Sequence, residues 1–174
     1  GGEAALREAF DEQLARLGAR LWRRRLDLLD ELRPHAVEAF RAVGRLPVHL
    51  ALEYRPAGVD TRPDMDEATL TQILRDGLDA RLGTDLERRF TSVGPHADDL
   101  GLYLGDRAAR LYGSQGQQRA VVLALKIGEI ESLRARIDRY PLLLLDDVSS
   151  ELDPERNAHL MRYLRALDRA NVAA

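Results

Sequence analysis

The sequence predicts an α/β chain: a helical, arm-like region over residues 1–88, with a strand near 48–54, followed by an α/β lobe over 89–174. Three observations carry this. Apolar residues in the first third recur at spacings of mostly three, four and seven, as on one stripe of a helix. Val48, Leu50, Leu52 and Tyr54 alternate with His49, Ala51 and Glu53, as in a half-buried strand. Leu142 to Leu145 form an unbroken apolar run after Pro141, as in a strand covered on both faces.

The elements follow in order. Leu6, Phe10, Leu14, Leu17, Leu21, Leu28 and Leu32 mark a long amphipathic helix whose narrow stripe suits a partner helix. Pro34 is expected to end it and to open a second helix that runs to about Val43, with Gly44 as its stop. The strand near Val48 leads into a loop over 55–66 that contains Pro56, Gly58 and Pro63. A helix then presents Leu70, Ile73, Leu74, Leu78 and Leu82 on one side, and Thr84 to Glu87 fits a capping box for a short separate helix. Phe90 to Val93 is expected as a short strand ending at Gly94-Pro95. Leu100 to Leu104, Gly105-Asp106 and Arg107 to Leu111 read as a hairpin with a tight turn. A glycine-bearing loop over 113–118 precedes a helix from Ala120 to about Ile137, with Val121, Leu125 and Ile130 among its core candidates. After the apolar strand, Asp153-Pro154 starts a helix that runs to about Leu167.

Composition narrows the function. The 174 residues are 45% hydrophobic and 32% charged, with a formal net charge of −3, so any contact with nucleic acid must come from a local patch. Lys126 is the only lysine, and no G-x-x-x-x-G-K-[ST] phosphate-binding loop surrounds it or occurs elsewhere. Without cysteine there are no disulfides and no thiolate metal sites. No apolar run approaches the roughly 18 residues of a membrane span, no signal peptide is visible, and a soluble cytoplasmic protein is the default expectation. The chain opens at Gly1-Gly2-Glu3 inside a helical pattern and stops at Val172-Ala173-Ala174 just after one, and is expected to be part of a longer protein.

Three segments carry chemistry. The strand ending in Asp146-Asp147 delivers two carboxylates where α/β proteins bind ligands: one can hold Mg²⁺, directly or through water, and the other can orient or deprotonate a water. Paired acids after a strand also occur as helix caps and in phospho-acceptor domains. In Ser114-Gln115-Gly116-Gln117-Gln118-Arg119, a serine and a glycine stand at the mouth of a helix, where free N–H groups and the helix dipole favour an anion; a plain capped helix entry fits equally well. Ser149-Ser150-Glu151-Leu152-Asp153 follows the acids and leads into a helix that Asp153 can cap.

Together, in this order, the segments are far more specific. They resemble the signature loop, Walker B strand and D-loop of ABC-type ATPases. Within that superfamily the chain resembles the C-terminal half of the RecF family. Gly94 to Leu100 is similar to G-P-H-R-D-D-L, Gly113 to Arg119 to G-S-Q-G-Q-Q-R, and Leu143 to Asp153 to L-L-L-D-D-V-x-S-E-L-D.

The resemblance implies the C-terminal lobe of an ABC-type head of RecF/SMC-like kind, lacking its last strand and preceded by part of a helical arm. The P-loop would lie in the N-terminal lobe. It implies an ATP-dependent, dimerising DNA repair and recombination factor acting at single-stranded gaps or junctions with RecO and RecR to promote RecA loading. The intact protein would be a weak DNA-stimulated ATPase, and this chain alone inactive. ATP and Mg²⁺ are the implied cofactors. Asp146 would help hold Mg²⁺ and Asp147 would be the catalytic carboxylate; Ser114, Gln115, Gly116 and Gln117 would meet the nucleotide of the other subunit; Ser150 and Asp153 would lie at the dimer seam. Ala97 departs from the family pattern, which has arginine there. Arg16, Arg20, Arg23 and Arg24 beside Trp22 are a candidate DNA patch, though such a stripe is more often a solvated face and Trp22 more often packs. His96 reads as structural or seam-facing, since no second ligand sits at metal spacing. The competing readings are the head of another SMC-like or Rad50-like ATPase, a non-enzymatic interaction module whose acids cap a helix, and a phospho-acceptor domain.

Overall fold

A computed structural model describes residues 2–44, 47–137, 158, 161–163 and 165. The elements in chain order are α1 (Gly2–Gly44), β1 (Leu50–Arg55), α2 (Glu67–Arg88), β2 (Asp99–Leu104), β3 (Arg107–Ala108), α3 (Ala109–Tyr112) and α4 (Gln115–Ile137). The strands form one sheet in the order β1-β2-β3. The chain clusters into two compact units, Gly1–Asp30 with Glu53–Gly101, and Glu31–Leu52 with Leu102–Ala174.

Helix α1 is continuous, and Pro34 lies inside it rather than ending it. A proline in a helix interior costs about 3 kcal/mol relative to alanine. Here it sits on an exposed position, where water can satisfy the carbonyl one turn back, while Ala36, Ala39, Phe40 and Val43 beyond it are buried. Burial of those four positions holds the helix through the break that local rules predict.

The buried face of α1 also differs from the leucine stripe. Ala15, Ala19, Trp22, Leu26 and Leu29 are buried, whereas Leu6, Phe10, Leu17, Leu21 and Leu28 are exposed. Alanines admit close approach and leave room for the Trp22 indole, which is fully buried. Ala15, Ala19, Trp22 and Leu26 pack with Leu70, Leu74 and Leu78 of α2 and with Val93. Gly18 belongs to the same contact, since a Cβ there would lie 2.5 Å from Leu74 Cδ2.

The Asp66 side chain caps α2 by accepting from the Thr69 N–H at 2.8 Å, and this hydrogen bond holds its carboxyl below the usual range. The helix then runs unbroken through Gly83, so Thr84 to Glu87 is its last turn and not a separate helix. It stops at Arg89, which adopts a left-handed φ of 58°.

Residues 90–98 form bends and turns, and the strand expected at Phe90 to Val93 is not formed. Gly94 takes a φ of 130°, Pro95 has no N–H to pair, and the Ala97 N–H closes a turn onto the Gly94 carbonyl at 2.9 Å. The hairpin is present. Tyr103 pairs with Ala108 and Leu104 with Arg107, and the positive φ at Gly105 suits a two-residue turn with glycine first. Its second strand is two residues long, because Ala109 already begins α3.

In the second unit, α4 buries Ala120, Val121, Leu123, Ala124, Ile127 and Gly128. Gly128 lies against α1, where a Cβ would fall 2.8 Å from the Ala36 nitrogen. Glu31 and Arg136 form an ion pair in the same unit.

Candidate functional site

The serine–glycine–glutamine segment forms the N-terminus of α4, which begins at Gln115. Ser114 is the cap residue. Its Oγ accepts from the Gln117 N–H at 3.2 Å, and the Gln117 Oε1 accepts from the Ser114 N–H at 2.8 Å. This reciprocal pair is a capping box with glutamine in the third helical position. Ser114 and Gln115 are exposed, and Gly116 and Gln117 are half-buried. Helical geometry gives the N–H groups of Gln115 and Gly116 no acceptor within α4, so both point outward at the positive end of the helix dipole. The arrangement suits a phosphate oxygen, for which the Ser114 hydroxyl retains its hydrogen. Just upstream, Leu111 and Tyr112 are 74% and 66% exposed, and the Arg107 guanidinium stands 5.9 Å from the Tyr112 ring centre.

The G-P-H segment belongs to the first unit and is built around Asp98, whose side chain is 1% exposed. Its Oδ2 accepts from the Trp22 indole at 2.6 Å and from the Tyr54 hydroxyl. Its Oδ1 accepts from the Ala57 N–H at 2.8 Å. Arg25 adds charge at 3.6 Å and donates to the Pro95 carbonyl at 2.6 Å. Burial first, then the hydrogen bond to Asp98, pushes the Tyr54 hydroxyl well above its ordinary pKa. The same segment exposes His96, Ala97 and Asp99, and His96 Nε2 lies 2.7 Å from the Thr91 carbonyl. The sequence hinted at this only as a resemblance: Asp98 sits in the motif, but nothing local shows that it is the buried acid of the pair.

The four arginines of the candidate DNA patch separate into two kinds. Arg16, Arg20 and Arg24 are exposed on α1, with Arg20 3.8 Å from Glu67. Arg23 turns inward, bonding Asp27 at 2.7 Å and the carbonyls of Pro63 and Met65 at 2.6 and 2.9 Å. Asp146, Asp147, Ser150 and Asp153 lie outside the described residues, as does the strand expected at Leu142 to Leu145. Among the described residues no cluster of three or more His, Cys, Asp or Glu could hold a metal, and no helix is long and apolar enough to cross a membrane.

No family model matches the chain. Curated relatives do. The chain is 55% identical over 163 residues to a DNA replication and repair protein RecF from Myxococcus xanthus (strain DK1622), covering 93% of this chain and 43% of that protein. It is 52% identical over 168 residues to a protein of that description from Anaeromyxobacter sp. (strain Fw109-5), covering 96% and 45%. The chain therefore spans a little under half the length of these relatives. Among solved structures, the recombination mediator protein RecF-ATPrS in the RecFOR pathway superposes with a TM-score of 0.81 at 33% identity, over 92% of this chain and 42% of that one. The RecF-ATP structure superposes with a TM-score of 0.80 at the same identity.

Proposed function

The chain belongs to the RecF family along the length it spans, with that family's ABC-type α/β fold, and we propose that the protein carrying it is an ATP-dependent DNA replication and repair factor that closes as a dimer over nucleotide. The observation that carries this is the N-terminus of α4: an exposed Ser114, reciprocally capped with Gln117, at the positive end of a 23-residue helix. A RecF solved as RecF-ATP shares this fold, which supports ATP as the bound nucleotide.

On this reading Ser114, Gln115 and Gly116 donate to the terminal phosphate of ATP held by a second copy. The Gln117 amide keeps its oxygen on the Ser114 N–H and has its nitrogen left to donate. Asp146 would help hold Mg²⁺, which supplies charge neutralisation when bound, and Asp147 would orient or deprotonate the attacking water. Ser150 and Asp153 would belong to the seam. Aspartate is one methylene shorter than glutamate, which suits slow hydrolysis and a switch-like use of ATP. Nucleotide binding and dimerisation are then linked, because ligand that contacts both copies stabilises the pair.

The partners proposed are DNA at single-stranded gaps or junctions, RecO and RecR, with RecA loading as the outcome and the cytoplasm as the place. Arg16, Arg20 and Arg24 are the phosphate-contacting candidates on α1; Arg23 is engaged by Asp27 and two carbonyls. The arm-and-lobe division at residue 88 is proposed for the whole protein.

The test is ATP-dependent dimerisation of the full-length protein by sedimentation. Ser114→Ala is expected to weaken it by about tenfold, the equivalent of one phosphate hydrogen bond. Dimerisation at wild-type strength would contradict the role given to Ser114.

A further inference from the structure

We infer that Gln118, the third glutamine of the loop, is the positioning residue that holds Ser114 in its ligand-ready orientation. The inference rests on the reading of this loop as a phosphate-contacting element. The Gln118 Nε2 lies 3.2 Å from the Ala109 carbonyl, 3.3 Å from that of Arg110 and 3.0 Å from that of Gly113. The first two belong to α3, a helix of four residues. So short a helix does not hold itself. The Ala109 carbonyl also accepts from the Gly113 N–H at 3.0 Å, and the Arg107 guanidinium stands over the Tyr112 ring.

Gly113 is shaped to the same clamp. A Cβ at that position would lie 2.5 Å from the Ala109 oxygen and 3.3 Å from the Gln118 Cγ. The Gln118 stem thus passes close to where a Gly113 side chain would sit. The amide sets the angle at which the chain leaves α3 and enters the Ser114 cap. The two adjacent glutamines therefore divide the work: Gln117 satisfies the Ser114 N–H, and Gln118 fixes the turn that presents it. Donors fixed before the ligand arrives lose less entropy on binding, so a positioning residue raises affinity without touching the ligand.

Gln118 is exposed, and its three contacts are confined to the short segment over 109–113, so their loss is local and leaves global melting little changed. Methionine at 118 fills similar volume with no donor, and glutamate presents only acceptors to three carbonyls. The experiment measures ATP-dependent dimerisation of the full-length protein for Ser114→Ala, Gln118→Met, Gln118→Glu and the Ser114→Ala/Gln118→Met double variant. Thermal melting and ATP binding by the monomer are followed in parallel. Gln118→Met and Gln118→Glu are expected to weaken dimerisation about tenfold, with melting and monomer binding unchanged. The double variant is expected to be no weaker than Ser114→Ala alone, since both act through one contact. Wild-type dimerisation by Gln118→Met, a fully additive double variant, or a loss of monomer ATP binding matching the loss of dimerisation overturns the positioning role. Wild-type dimerisation by Ser114→Ala overturns the loop reading instead, so the two failures are told apart.

Discussion

Asp98 meets three hydrogen-bond donors and the charge of Arg25 with its side chain out of water. A buried carboxylate is tolerated only when it is paired and bonded in this way. Asp98→Ala leaves the Trp22 indole and the Ala57 N–H without their acceptor and is expected to lower the unfolding free energy by about 3 kcal/mol in urea; a loss under ~0.5 kcal/mol would show that water replaces the carboxylate. Tyr54 adds a pH dependence. Its pKa is raised on folding, so its contribution is whole below the unfolded value near 10 and is lost as pH rises through the folded one. The urea midpoint of the wild type is expected to fall above about pH 10, and Tyr54→Phe to flatten that fall. An unchanged slope would mean the phenol does not report on folding. None of this was legible locally, because the Asp98 partners lie 76, 44 and 41 residues away.

At the scale of elements, periodic patterns were legible and interruptions were not. The alternation around Leu50 and Leu52 is a strand with both leucines buried, and Gly105-Asp106 is the turn of a hairpin. Pro34 was misread as a helix boundary because a local breaker is overridden when the turns on either side are held by packing, and Thr84 to Glu87 was read as the start of a separate helix although it is the last turn of α2. The exposed leucines of α1 follow from counting large side chains alone, which misses Ala15 and Ala19, residues that mark a close contact by being small. Gly128 makes the same point in α4. Gly128→Ala would place a Cβ against the Ala36 backbone. It is expected to destabilise the chain by roughly 1–3 kcal/mol in spite of alanine's better helix propensity. A gain in thermal midpoint would show that α4 and α1 can separate at no cost.

For the whole molecule, the motifs that carry the family resemblance were legible and the presentation of the Ser114 loop was not. The sequence shows Ser114 beside a helix; the structure shows it exposed, capped by Gln117 and backed by the Gln118 clamp. The central claim is that this loop serves the nucleotide of another copy. It is tested by mixing two full-length variants, one disabled in its own phosphate-binding loop and one carrying Ser114→Arg, and measuring DNA-dependent ATP turnover. Each variant alone is expected to be inactive. The mixture is expected to recover roughly a quarter of wild-type turnover, because half of randomly paired dimers are mixed and each mixed dimer holds one intact composite site. No recovery, with mixed dimers shown to form, would contradict the account.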